Sequence, residues 1–508
     1  ESLYDGTLPS RCVAIGGYAM RGCTTSSNVI AIGYQAHRGD GVSHNYDNVA
    51  LGNFVLWSIT TGYNNIGIGA KVLYSLTTGF NNVAIGDDCM RRTINGYENV
   101  AIGKNALNAN TSGFQNLAIG KNALVSNSTG FNNIALGEEA LFLNESGNGN
   151  VAVGRKCLAA NISGNNNTAV GANALSGNSG SFNVAFGEDS LAQNTSGASN
   201  IGVGVKSAYS NLTGNDNVAI GYQAFLSNLS GSKNVAIGNQ SLYSMVSGDA
   251  NVAIGNKAMQ GNNTGANNVA IGTFAAFSIT TGYDNVGIGI NSLYGITTGY
   301  SNTAIGRDTL TSIAGGAKNV AIGQNSQRYA VSTTGNVAIG FDSLSDNVSG
   351  SNNVSIGQSA LKSNLGGSNN TGVGHLSLYA LSTGHSNVGL GRSSLESITT
   401  AYENVAVGHQ ALQGNQTGLG NVAIGKSAGY PSVTSNATVS GNYNTFIGYK
   451  SGSGTDAQIS NAIAIGNAAL VSASDTAVMG NTSTVETILR GSTVTIPGQI
   501  KIQGGTPG

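Results

Sequence analysis

Asn-Val-Ala-Ile-Gly-Lys-Asn-Ala-Leu-Asn-Ala-Asn-Thr-Ser-Gly-Phe-Gln, residues 99 to 115, is one unit of a repeat that runs through almost the whole chain. The glycine closing Asn-Val-Ala-Ile-Gly, or a variant of it, recurs 28 times between Gly16 and Gly480, and 22 of the 27 intervals are 17 residues. The exceptions are 19 residues (Gly33 to Gly52), 16 (Gly171 to Gly187), and 23, 18 and 14 after Gly425. Seventeen residues are too few for a helical hairpin or a propeller blade. Val100 and Ile102 alternate about a small residue as a short strand does, and Gly103 and Gly113 supply turns. The unit therefore reads as one coil of an all-β parallel β-solenoid: strand, turn, a second short strand at Ala106-Leu107, then a turn through Thr/Ser-Gly.

Alternation places Val100 and Ile102 on one side and Ala101 on the other. The expectation is that Val100, Ile102 and Leu107 fill a thin core, leaving the alanine side for close approach by another surface. Single coils bury too little to stand alone, so stacking must supply the missing faces. At about 4.8 Å per coil, 28 coils would form a rod of roughly 130 Å.

Composition agrees with a scaffold. Among 508 residues there are 76 Gly and only 4 Pro, and 9% are charged, against roughly 25% in an ordinary soluble protein. Scarce charge argues against a standard enzyme, normal hydrophobic content against a disordered tail, and the missing Gly-X-Y period against collagen. Net charge is −1 with 22 Lys and Arg dispersed along the chain, so no footprint for nucleic acid or anionic lipid is present. No apolar run reaches membrane-spanning length and no export signal opens the sequence. The start at Glu1 reads as a processed chain or a fragment.

Side chains recur in matched positions. Asn precedes the valine or its aliphatic equivalent (Asn65, Asn82, Asn99, Asn116, Asn133, Asn150), where stacked amides can bond along the axis. Ser or Thr precedes the second glycine (Thr61, Thr78, Ser112, Thr129, Ser146, Ser163). Aromatic residues follow it at Tyr63, Phe80, Tyr97, Phe114 and Phe131, and again at Tyr283 and Tyr300. These rings either stack to seal a turn or an interface, or form a surface-binding strip for carbohydrate. The Ser/Thr ladder also leaves an ice-binding solenoid open.

Reactive groups form no constellation. Cys89 and Cys157 read as small buried fillers, whereas Cys12 and Cys23 bracket the first coil and could close a disulfide there. Asp87-Asp88, Glu138-Glu139 and Glu188-Asp189 invite a glycosidase reading, but neighbouring side chains diverge and successive pairs lie too far apart to flank a bond. His37, His44, His375, His385 and His409 share no slot. No catalytic residue, metal site or cofactor is expected. Arg38-Gly39-Asp40 is a short match to an adhesive triplet. Sequons at Asn110, Asn127, Asn144, Asn161, Asn194, Asn211 and Asn228 become glycan sites only on passage through a glycosylating pathway. The calcium-binding nonapeptide is missing.

Through Asn-Val-Ala-Ile-Gly-x-x-Ala-Leu and its Thr/Ser-Gly turns, residues 12 to 480 resemble the head repeats of trimeric autotransporter adhesins, and more closely the longer-period repeats of phage tail fibres. The resemblance implies a left-handed parallel β-roll, three of which pack about an axis with small residues facing inward, the role carried onto Ala50, Ala84, Ala101, Ala118 and Ala135. It implies a homotrimeric, non-enzymatic fibre of a phage tail or other extracellular appendage. Its partners would be a host-surface glycan or receptor and neighbouring fibre or baseplate components. A structural cell-surface filament is the alternative, with a polysaccharide-degrading tailspike further behind. Four regions follow: irregular first coils or a cap (1–47), regular repeats (48–425), irregular terminal coils (426–480) and a C-terminal β connector (481–508), whose form resembles the segment preceding a fibre chaperone domain.

Overall fold

The computed structural model describes residues 10–39, 44–430, 441–455, 458–481 and 483. Two compact units divide the chain, Glu1–Asn319 and Val320–Gly508. The first carries eighteen three-residue strands from Val13–Ile15 to Thr303–Ile305. Each pairs in parallel with the next, in a register that sets Val100 opposite Leu117, Ala101 opposite Ala118 and Ile102 opposite Ile119. In the second unit ten strands, Val320–Ile322 to Ala477–Met479, follow the same rule, and a short extra pair joins Gly452–Ser453 to Leu470–Val471. Each unit is a parallel β-solenoid with no helix among the described residues.

The second strand expected at Ala106-Leu107 does not form; residues 104–109 are turns. Asn105 and Leu107 adopt left-handed φ angles of 58° and 52°. That conformation costs a side-chain-bearing residue about 1–2 kcal/mol, which full burial of a leucine, about 1.5–3 kcal/mol, offsets. The corner also keeps its inter-coil bonds, with Leu107 N–H donating to Ala123 O (2.9 Å) and Ala109 N–H to Val125 O (2.9 Å). Closing a small loop in seventeen residues thus takes tight left-handed bends where a second strand would run too straight. The motif glycine is fixed by proximity: at Gly120 (φ 135°) a Cβ would meet Gly137 O of the next coil at 2.5 Å.

The strand also faces the other way from the expectation. Ala101 is fully buried, Val100 half-buried, and Ile102 37% exposed. Ala50, Ala84, Ala118 and Ala135 are likewise buried inside their own coils, so none of these alanines faces outward toward a symmetry axis. Gly67, standing in the alanine slot, shows why: a Cβ there would meet Val55 Cγ1 at 2.5 Å and Val72 Cγ1 at 3.4 Å. The coil interior already holds the leucine slot and the residue before it, leaving little room beyond a methyl wherever both are filled. Where that slot carries Phe446, the leucine slot one coil earlier is Gly429, and a Cβ on Gly429 would lie 2.9 Å from the Phe446 ring.

Two buried polar ladders share this interior. From Asn48 to Asn319 every coil of the first unit has Asn before its strand; Asn99 Nδ2 donates to Asn82 Oδ1 (3.0 Å) and Gly113 O (3.0 Å), while Asn116 N–H returns to Asn99 Oδ1 (3.0 Å). A buried amide costs little only when its partners are supplied, and the stack supplies them at every level.

Candidate functional site

Placing alanine inside puts the β-branched residues outside. Along the first unit each strand presents two aliphatic side chains on the same outer face, such as Ile66 and Ile68, Val100 and Ile102, Leu117 and Ile119, with a threonine in place of one at Thr168 and Thr303 and a phenylalanine at Phe186. Parallel registration stacks them into two continuous rows without a polar interruption in the second row, from Ile15 to Ile305. At on the order of 100 Å² of aliphatic surface per coil, eighteen coils present about 1,800 Å², well beyond the 300–600 Å² of the largest patch on a typical monomer.

The aromatic positions come together as a second feature. Tyr46, Tyr63, Phe80, Tyr97, Phe114 and Phe131 stack in sequence with centroids 4.8–5.0 Å apart and nearly parallel planes. Tyr283 and Tyr300 repeat the arrangement (5.1 Å). Each interior ring has both faces covered by its neighbours, so a sugar would meet ring edges rather than the flat faces that carry CH–π contact. The stack closes the second turn.

Hydroxyls one residue earlier than the expected ladder bond to the backbone of the next coil: Thr111 Oγ1 donates to Ser128 O (2.9 Å), Thr280 Oγ1 to Thr297 O (3.1 Å). The acidic pairs diverge. Asp87 accepts from Ala70 N–H while Asp88 pairs with Arg91 (3.5 Å); Glu138 pairs with Lys121 (3.2 Å) and Glu139 with Lys156 (3.7 Å). Arg38 lies over the Trp57 ring at 4.7 Å, and Asp40 falls outside the described residues, as do the strands anticipated at 484–502.

Cys12 and Cys23 are separate thiols. Cys12 donates toward Ser10 O (3.4 Å), whereas Cys23 meets His37 O (3.2 Å) and His37 Nδ1 (3.5 Å). His37 stands in the leucine slot, fully buried with Nε2 unpartnered, and desolvation lowers its pKa to about 4. Cys89 and Cys157 are buried, their sulfurs directed to Ala101 O and Ala169 O, and burial pushes both thiols up to about 12. A thiol held neutral is unreactive.

The sequon asparagines form the second internal ladder. Asn127 Nδ2 donates to Asn110 Oδ1 and to Gly130 O, both at 3.0 Å, and all seven are fully buried. A folded coil offers none of these amides to a glycosylating enzyme. The sequence carries a signal that they are internal: the same slot holds Ile59, Leu76, Met245 and Ile279 in other coils. Likewise Gly67, Gly202 and Gly389 replace alanine but never a bulky exposed residue, which marks the alanine slot as the confined one.

No family model and no curated protein matches the chain. Among the described residues no helix is long and apolar enough to cross a membrane.

Proposed function

We propose that this chain is one subunit of a parallel homotrimeric, non-enzymatic fibre of a phage tail or related extracellular appendage, which attaches to a glycan or protein on a host surface. The observation that carries the reading is the long, largely aliphatic outer face of the first unit. Its area per chain is about twice the roughly 800 Å² that each partner contributes to a standard specific interface. A second copy of this chain offers apolar groups at the same inter-coil spacing over eighteen coils, and the parallel orientation, in which like layers meet, rests on the resemblance. The number three rests on the resemblance to adhesin heads and tail fibres; cyclic symmetry then lets every face be covered without open-ended growth. Attachment is assigned to the irregular coils, since a uniform flank offers the same surface at every level.

Light scattering of the purified chain tests assembly. A molar mass near three times 51.0 kDa that survives heating in detergent is the expected result, and a monomer would overturn it. Attachment is tested separately by pull-down on candidate bacterial hosts, where absence of binding across all plausible hosts would leave a purely structural filament. Reducing-sugar release from capsular polysaccharide is expected to be nil.

A further inference from the structure

The outer aliphatic rows have a weakness as an interface: they are periodic. Sliding one copy past another by a single coil would lose only one layer of eighteen, so a uniform face does not define a register. One layer of the first unit is not uniform. The residue just before the motif glycine is Ile or Leu in every coil except at Val153, Val170, Phe186 and Val203. Phe186 is the sole aromatic residue in this row, and parallel pairing places Val170 on one side of it and Val203 on the other.

Packing inside the coil does not call for the size pattern, although Phe186 ends the one 16-residue coil of the first unit. Phe186 is 43% exposed and points outward, so its ring has solvent to lean into and does not require short neighbours. Smaller side chains above and below a large one are what a filled, confined space demands, where an added methylene costs as much as a missing one. The chain's own packing shows the same compensation where space is known to be confined, at Phe446 and Gly429.

We infer that Phe186, bracketed by Val170 and Val203, is the register pin of the parallel assembly: a layer where the phenyl rings of the copies meet, and where a one-coil slip would set each ring against the shorter Val170 or Val203 of its neighbour and leave the layer underfilled. The inference rests on the oligomeric reading above and names the residue that fixes its alignment. The partner is a second copy of the same chain, at the same height.

A double-mutant cycle on the full chain tests it. Val203→Ile restores the common residue beside Phe186 and should overfill the layer, lowering the dissociation temperature of the assembly by several degrees. In the Phe186→Ile background the same change should cost nothing. Register is read independently with Ile288→Cys in a Cys12→Ser background. Oxidation should link same-site cysteines in pairs, up to two chains in every three of a trimer, and added Phe186→Ile should cut that yield several-fold while light scattering still reports an oligomer. A monomeric wild-type chain would remove the fibre reading itself. An oligomer in which Val203→Ile has the same effect with or without Phe186, and in which cross-linking is unchanged by Phe186→Ile, would overturn the pin alone.

Discussion

Two stretches of the first unit build the same coil with opposite chemistry. From Asn110 to Asn228 the slot before the second turn is Asn in eight successive coils, whereas Ile279, Ile296 and Ile313 fill it in three successive coils further on. Backbone register and strand length do not change between them. What changes is whom each side chain depends on. Inside the Asn run, Asn144 Nδ2 donates to Asn127 Oδ1 (2.8 Å) and its own Oδ1 accepts from Asn161 (3.0 Å), so each amide completes its neighbours. The isoleucines need only volume. Asn262 stands between Met245 and Ile279 and shows what a lone amide must do: its Oδ1 turns back to accept Gly265 N–H of its own turn (2.9 Å). Polar occupancy of this core is therefore a collective property, and the sequence runs of like residues reflect it.

That contrast is tested most severely at the other asparagine ladder, which both stretches share. Asn150→Ala removes donations to Asn133 Oδ1 (3.1 Å) and Gly164 O (2.9 Å) and leaves Asn167 N–H without its acceptor. Two or three buried groups orphaned at about 1–3 kcal/mol each give an expected loss of about 4 kcal/mol, read as a lowered urea midpoint. A loss under about 1 kcal/mol would mean that water enters the ladder and the collective account is wrong.

The second ladder sharpens the comparison. Asn161→Ile, inside the run, strands the Oδ1 of Asn144 below and one donor hydrogen of the Asn178 amide above, for an expected loss of about 2–3 kcal/mol. Asn262→Ile makes the same chemical change where the neighbours are already Met245 and Ile279, and removes only self-contained turn bonds. Its expected effect is within about 0.5 kcal/mol of zero. Equal effects at the two sites would dissolve the distinction between run and singleton.

The same logic separates what was legible in the sequence from what was not. The 17-residue period and the parallel stack follow from the glycine spacing, and the Asn65-to-Asn150 ladder from the repeat itself. The facing of the strand did not follow, because period-2 alternation tells which residues share a side but not which side is interior. Aliphatic Val100 and Ile102 were natural core candidates, yet a coil this small closes over Ala101 and exposes the larger pair. The turn at Ala106-Leu107 is hidden in the sequence for a related reason: a left-handed φ at leucine is locally unfavourable and is imposed only by closure of the loop. The functional reading rests in the sequence on a resemblance alone, since the outer aliphatic face from which assembly is proposed comes into view only once the inside of the coil is known.

The smallest effect at neutral pH is expected where a lone polar group lacks even a turn to bond. His37 occupies the leucine slot between Met20 and Leu56, and its one side-chain partner among the described residues is the Cys23 sulfur. Burial holds its folded pKa at about 4, below the ordinary 6.5, so the unfolded chain binds the proton more readily than the folded one. The contribution to stability is then intact above pH 6.5 and is lost progressively as pH falls from 6.5 toward 4. Acid should therefore fray the coils at Met20 and His37 before it reaches the asparagine-filled ones, seen as faster amide exchange at Met20 N–H and His37 N–H, which bond to Ala36 O and Val55 O. His37→Leu restores the residue that the slot carries elsewhere and should abolish that acid-specific exchange while changing little at pH 7.5. If the variant frays in acid as the native chain does, protonation of His37 is not the cause, and the sensitivity belongs to other groups in the first coils.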